Sequence, residues 1–383
     1  RGLVFGEDSA EGIPLWIADM DLPCSQEICR SLQRRLEHPT FGYTYQPKEM
    51  WEAAQRWIAE EHGWEVPLDS FVFCPSIVTA VAATLWAFTS PGDVVLIMTP
   101  IYEPLQKVVE GSNRMLRRHE LRLRDGRYCW DLARLRAELQ GCKMLIFCNP
   151  HNPGGRAWSP EELRDLASMC KEEGVLVASD EIWADWCLFG RRHRPLAMES
   201  AASGADASVI TMMAPTKTWN LAGLQSSFLI ILDEAMRKKY LAVVEPAFLH
   251  FGGTFASEGM LAAYTLGRPW HIGAKSFVEQ HMGRCEAVFR QQCAPEVVPL
   301  VPEASYLLWL DCTALGISDP ARFFREEAGV ILSPGSLFGG AASAMFVRLN
   351  AATSSEVLGQ ALDQMVAAVA KVRAGFRPKW DTV

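Results

Sequence analysis

Apolar runs recur along the chain without alternation, at V-V-L-I-M (94–98), M-L-I-F-C (144–148), V-L-V-A (175–178), S-V-I-T-M (208–212) and S-F-L-I-I-L (227–232). Continuous apolarity marks strands buried on both faces, so these runs predict a mainly parallel sheet covered by helices. Amphipathic stretches separate them. One of these, S-P-E-E-L at 159–163, opens a helix with a Ser cap, a Pro in the first turn and acids at the positive end of the dipole. After about residue 275 short strands at 306–310 and 345–349 alternate with helices at 319–327 and 354–373, which reads as a smaller α+β domain. The predicted fold class is therefore α/β, with a large and a small domain and no internal repeat or low-complexity tract.

Composition acts mainly by exclusion. At 383 residues, 49% hydrophobic and 21% charged, the chain is ordinary globular material long enough for two domains. A formal net charge of −8 argues against a nucleic-acid surface, and the short basic clusters R-R-L-E-H (34–38), R-R-H-E (117–120) and R-R-H-R (191–194) read as solvated faces and loops. The eleven cysteines are odd in number, scattered and without a C-x-x-C pair. They predict buried thiols, such as Cys74, Cys148 and Cys187, rather than a disulfide framework or a metal site. A reducing, cytoplasmic compartment is the expected setting. No stretch approaches the ~20 apolar residues of a membrane helix, and the first residues lack the charged-then-apolar order of a signal peptide. The sequence starts at Arg1 rather than Met, as a trimmed chain would.

Three motifs carry the chemistry, and each follows a strand-like run: N-P-H-N-P-G-G at 149–155, S-D-E-I-W at 179–183 and A-P-T-K-T-W-N-L-A-G-L at 214–224. Each alone is a common loop, helix cap or surface turn. Together they supply what pyridoxal 5′-phosphate (PLP) needs. The cofactor requires an amine to hold its aldehyde, and a carboxylate to keep the pyridine nitrogen protonated so that the ring can absorb a carbanion's electrons. Lys217 and Asp180 match those two groups. Asn152, set on a turn by Pro153, Gly154 and Gly155, suits a donor to the phenolic oxygen. In C-P-S-I-V-T-A at 74–80, Ser76, Ile77 and Val78 open an apolar helix whose free N–H groups and dipole suit a phosphate. An ordinary strand-to-helix turn reads the same way.

With P-L-W-I-A-D-M-D-L at 14–22, F-G-Y-T-Y at 41–45, K-T-W-N-L-A-G-L-Q at 217–225 and F-V-R-L-N at 346–350, the chain resembles the fold-type I PLP-dependent enzymes of the class I/II aminotransferase superfamily. Within it the chain resembles the MalY/PatB-type cystathionine β-lyases (C-S lyases), over nearly its whole length. The resemblance implies a large PLP-binding domain at 40–275 and a small domain formed by 1–39 with 276–383. It also implies a homodimer with shared active sites. By the same resemblance Ser76, Ile77, Val78 and Thr216 contact the cofactor, and Tyr102 stacks on its ring as part of the catalytic set with Lys217 and Asp180. Tyr43 crosses to the neighbouring subunit's phosphate. Arg348 pairs the substrate's α-carboxylate, for which a guanidinium offers two parallel hydrogen bonds. Ala18 touches that carboxylate through its backbone N–H, with Trp16 as a pocket wall and Asn152 close by.

Three positions depart from the commonest aminotransferase pattern. Ala214 replaces a phosphate-binding serine, Gln225 replaces an arginine and Trp183 replaces a tyrosine that donates to the phenolic oxygen. These departures favour lyase over transaminase. The expected reaction is α,β-elimination on a small-molecule L-cysteine S-conjugate, giving a thiol, pyruvate and ammonia. The alternatives are an aminotransferase, a tailoring lyase or decarboxylating deaminase on a large S-conjugate, and a PLP-fold regulator without turnover.

Overall fold

A computed structural model describes residues 12–205 and 208–381. Seven strands form the larger sheet: β1 (Phe71–Cys74), β2 (Val94–Thr99), β3 (Met115–Glu120), β4 (Cys142–Cys148), β5 (Leu176–Asp180), β6 (Val209–Met213) and β7 (Ser227–Ile230). Their order is β1-β7-β6-β5-β4-β2-β3. All pairings are parallel except those of β7, which runs antiparallel to both β1 and β6. The apolar runs therefore become strands as expected, with one direction reversed. Successive residues of each central strand enter opposite cores: Leu145 and Phe147 on one face, Met144 and Ile146 on the other. That two-sided burial is why the runs do not alternate.

Strand β3 has no such run. Its residues M-L-R-R-H-E form the sheet's edge, where one side meets solvent and charge is tolerated. The cluster read as a solvated face thus contains a fully buried His119, whose Nδ1 lies 2.6 Å from Glu138 Oε2. The 191–194 cluster departs in the same way, because His193 is buried against Glu181. The helix expected from S-P-E-E-L spans Pro160–Glu172 and carries a reciprocal capping box between Ser159 and Glu162.

The smaller sheet contains β8 (Val298–Pro299), β9 (Leu307–Asp311), β10 (Ser333–Pro334) and β11 (Phe346–Asn350), in the antiparallel order β8-β9-β11-β10. Helices Pro320–Ala328 and Ser355–Arg373 share its core. Leu15 and Met20 join that core, and Ile13–Pro14 pairs in parallel with Val330–Ile331. Residues 13–20 therefore sit with the small sheet, whereas helix Gln26–Leu36 buries Ile28 and Leu32 against the large-sheet core, so only part of the expected 1–39 segment joins the small domain; residues 1–11 lie outside the described residues. Helix Arg268–Val288 runs continuously through the expected boundary at 275. Among the described residues no helix is long and apolar enough to cross a membrane.

The small sheet's approach to the large one depends on a tight bend after β10. A Cβ on Gly335 would collide with the carbonyl oxygens of Ser343 and Phe346, both backbone atoms that cannot rotate away. Gly335→Ala should therefore destabilise the protein by about 1–3 kcal/mol. The measurement is a lowered urea midpoint at unchanged m-value; an unaltered midpoint would show that the bend has slack.

Candidate active site

The functional side chains gather where the parallel strands end. β1 leads to Ser76, β4 to Asn152, β5 ends on Asp180 and β6 leads to Lys217, so one sheet edge presents all four. Lys217 sits in the single helical turn Pro215–Thr218, with its carbonyl held by Trp186 Nε1 at 2.8 Å. Its Nζ donates to Ala18 O at 2.6 Å and to Asp19 Oδ1 at 3.3 Å. Burial lowers the amine's pKa, and Asp19 partly offsets this.

Asp180 is buried, and its Oδ1 accepts from the Ile182 N–H at 3.2 Å. Burial raises its carboxyl to about 7, with neighbouring Glu181 adding to the effect. Ser76 caps helix Ile77–Phe88 by accepting from Thr79 N at 3.2 Å, which leaves the helix's first amides at the cavity. Tyr102 stands just before helix Glu103–Gly111, and burial raises its phenol.

Ala18, Ser76, Ile77, Val78, Tyr102, Asn152, Asp180, Trp183, Thr216 and Lys217 line one cavity of about 180 Å³. A second, of about 380 Å³, shares Ala18, Tyr102 and Lys217 with the first and adds Trp16, Asp19, Ser333, Phe338 and Arg348. Arg348 is buried. Its Nη1 donates to Asn152 Oδ1 at 3.0 Å, its Nη2 donates to Trp16 O at 3.1 Å, and its guanidinium lies 4.7 Å from the Phe338 ring centre. Its Nε has no partner, and among the described residues no carboxylate lies within ion-pair distance. Burial lowers its pKa to about 10.

Every site residue expected from the sequence lines these two cavities except Tyr43. That ring is 93% exposed and belongs to a separate aromatic patch with Tyr45 and Phe251. Sequence reasoning missed Asp19, Ser333 and Phe338. Asp19 alone carried a signal, since it stands beside Ala18 in the quoted W-I-A-D-M-D motif. It also missed the supports behind the wall: Asn350 Nδ2 holds Ile17 O and Asp19 O at 2.8 and 2.6 Å, and Asn220 Nδ2 holds Met20 O at 2.9 Å. Of the departures, Trp183 forms cavity wall and packs edge-on against Tyr306 at 4.8 Å, whose hydroxyl donates to Ala18 O at 3.0 Å. Gln225 lines the same cavity with φ 51°.

These residues fit PLP. A buried carboxylate without a bonded cation suits a protonated ring nitrogen, helix amides suit a phosphate, and a desolvated lysine suits an aldehyde. Fold and cavity thus define a PLP-dependent enzyme of fold type I. The family model for aminotransferase class I and II matches residues 11–365, and the chain belongs to that family. The cystathionine β-lyase PatB of Bacillus subtilis (strain 168) is 39% identical over 372 residues, 96% of this chain and 95% of that protein. A PLP-bound putative aminotransferase from Clostridium difficile 630 superposes with a TM-score of 0.91 at 31% identity, covering 96% of this chain and 94% of that one. The PLP-bound C-S lyase from Staphylococcus hominis gives a TM-score of 0.89 at 28% identity, with 96% and 95% covered.

The raised Asp180 carboxyl sets a pH dependence for the cofactor-free protein. Its folded pKa lies above the unfolded value, so the stability it contributes is complete below about pH 4 and is lost as the pH rises through about 7. Asp180→Asn removes that loss. The cofactor-free variant should exceed its parent by up to about 4 kcal/mol above pH 7 and flatten the profile between, measured by denaturant titration across pH. A parent whose stability rises over that window would contradict the buried, unpaired carboxylate.

Proposed function

We propose that this enzyme is a carbon–sulfur β-lyase that converts an L-cysteine S-conjugate and water to a thiol, pyruvate and ammonia. The observation that carries the choice of lyase is the 39% identity to cystathionine β-lyase PatB across 96% of the chain. Bound PLP supplies an electron sink for the pair left on Cα when its proton departs.

The chain's own residues do the rest. Lys217, Asp180, Asn152, Ser76, Ile77, Val78 and Thr216 hold the cofactor, with Tyr102 against its ring. Asp180 keeps a proton on the ring nitrogen. Arg348 takes the substrate's α-carboxylate, aided by the Ala18 backbone and walled by Trp16, and this fixes which Cα substituent stands ready to leave. Lys217 removes the Cα proton; burial lowers its pKa, which favours the neutral amine a base needs. Loss of the β-thiolate follows, and water completes the conversion to pyruvate and ammonia. An aminotransferase would use the same lysine to return the proton elsewhere. Incubation with cystathionine should yield pyruvate without added keto acid, whereas strict dependence on a keto acid would favour transamination.

Arg348→Ala should raise KM for the conjugate about 30- to 1000-fold, the loss of a buried charge-assisted contact, with a smaller change in kcat. An unchanged KM would remove Arg348 from the carboxylate role.

The reading extends to a homodimer in the cytoplasm, with a large domain at 40–275 and a small one of 1–39 and 276–383. The exposed rings of Tyr43 and Tyr45, packed on the half-buried Phe251, support the pairing, because contiguous exposed aromatics mark interfaces. Tyr43 then serves the partner's phosphate. If a Tyr43→Ala protein is severely impaired, mixing it with inactive Lys217→Ala protein should restore activity as subunits exchange, since each hybrid contains one site with both residues intact. Hybrids verified by mass spectrometry that stay inactive would return Tyr43 to its own subunit.

A further inference from the structure

The sequence L-P-C-S-Q-E-I-C at 22–29 follows directly on the segment that carries Trp16 and Ala18 to the cavities. Ser25 caps helix Gln26–Leu36, its hydroxyl accepting from Glu27 N at 3.3 Å. Cys24 therefore occupies the position before the cap and Cys29 the fourth helical position. In many helices these two positions carry apolar side chains that pack together as a hydrophobic staple. Here the staple is a pair of thiols, with their Sγ atoms 3.4 Å apart. A disulfide needs about 2.05 Å, so closure requires an approach of roughly 1.4 Å, within reach of side-chain rotation.

Solvent access separates this pair from all the other cysteines but Cys129. Eight of the eleven are buried; Cys29 is exposed, and Cys24 and Cys129 are half-buried. Cys129 Sγ already contacts Arg122 O at 3.3 Å.

We propose that Cys24 and Cys29 form a reversible redox modification site, in which hydrogen peroxide oxidises Cys29 and Cys24 resolves the product to a disulfide. In the first step the Cys29 sulfur attacks the peroxide oxygen, the O–O bond breaks and one water leaves, giving a sulfenic acid. In the second, the Cys24 sulfur attacks Cys29 Sγ, the S–O bond breaks, and the departing hydroxide takes the Cys24 proton as a second water. Two thiols lose two electrons and one peroxide gains them. Burial, with the Cys29 contact, pushes the Cys24 thiol up to about 11, so the first attack falls to the exposed Cys29.

Closure leaves the catalytic cavity in place. Trp270 Nε1 already holds Pro23 O at 3.1 Å, and Asn220 Nδ2 holds Leu22 O at 3.0 Å. The device thus protects Cys29 from irreversible oxidation without switching the enzyme off.

The test treats holoenzyme with hydrogen peroxide, followed by alkylation, intact mass and peptide mapping. The expected product is a loss of about 2 Da, a Cys24–Cys29 linked peptide, full reversal by dithiothreitol, and turnover within about twofold of the untreated enzyme. Cys24→Ser should instead gain about 32 Da at Cys29, which dithiothreitol does not reverse. Wild-type protein that reaches this sulfinic state as fast as the variant would overturn the proposal. So would linkage of Cys29 to Cys129 or to a second chain, or no reaction at peroxide levels that oxidise free cysteine.

Discussion

Where the two sheets meet, a guanidinium is buried with no carboxylate to answer it. Arg348 rises from β11, and its Nη groups are met by Asn152 Oδ1 from the turn after β4 and by Trp16 O from the N-terminal segment, with Ser333 Oγ of β10 at 3.4 Å. One side chain therefore ties two separate stretches of chain, around Asn152 and Trp16, to the small sheet. Neutral oxygens offset only part of the several kcal/mol that a desolvated ion costs. The depressed pKa of about 10 expresses what remains. That residual demand for an anion faces a cavity which also holds Lys217, which supports the carboxylate role proposed for Arg348.

The neighbouring acids show by contrast which carboxylate is left for a ligand. Glu181 is saturated: Ser179 Oγ, His193 Nε2 and Leu196 N reach it at 2.7, 2.7 and 3.1 Å. Asp185 is saturated too, by Trp57 Nε1, His62 Nε2 and Thr218 Oγ1 at 2.9, 3.1 and 2.7 Å. Burial alone would raise the Asp185 carboxyl, but His62, His271 and Thr218 together hold it well below the ordinary range. Asp180, one residue before Glu181, lines the cavity and is pushed the other way. Buried polar groups are normally satisfied, so the under-supplied carboxylate is the one built to meet something absent from the chain. Thr218 also connects Asp185 to the turn that carries Lys217, giving the saturated acid a positioning role.

Much of this was legible in the sequence because it depends on local order. Strands buried on both faces are written as continuous apolar runs, and the strand-end motifs containing Asn152, Asp180 and Lys217 follow those runs by a few residues. What escaped depends on pairing over long separations. β3 carries charge because it is an edge, and nothing in M-L-R-R-H-E distinguishes an edge strand from a loop. The reversed direction of β7 is set by its neighbours, since a buried strand's composition is the same in either sense. His193 and Glu181 are twelve positions apart and His62 and Asp185 far more, so a histidine in a basic cluster reads as solvated until the fold supplies its acid. Phe338 and Ser333 lie in the short helix Ser336–Gly339 and strand β10 and become site walls only through Arg348.

The three departures from the common aminotransferase pattern acquire a shared physical meaning in this geometry. On the proposed reading, with Gln225 lining the cavity and Ala214 just before the turn that carries Lys217, neutral helix amides rather than a guanidinium would meet the phosphate, leaving the cavity cations Lys217 and Arg348 to the substrate. Trp183 substitutes an indole wall for a phenol, removing a group that could donate or exchange a proton near the ring. Burial also raises the Tyr102 phenol, which keeps it protonated at neutral pH. On the proposed reading Lys217 is the amine that handles the Cα proton. Asp19 lies 3.3 Å from that amine and Ala18 O lies 2.6 Å away. Held there, Lys217 is placed to take the Cα proton in the proposed elimination, while the protonated Tyr102 phenol stands as a donor on the same cavity. The polar economy of the cavity thus agrees with the elimination chemistry proposed for it.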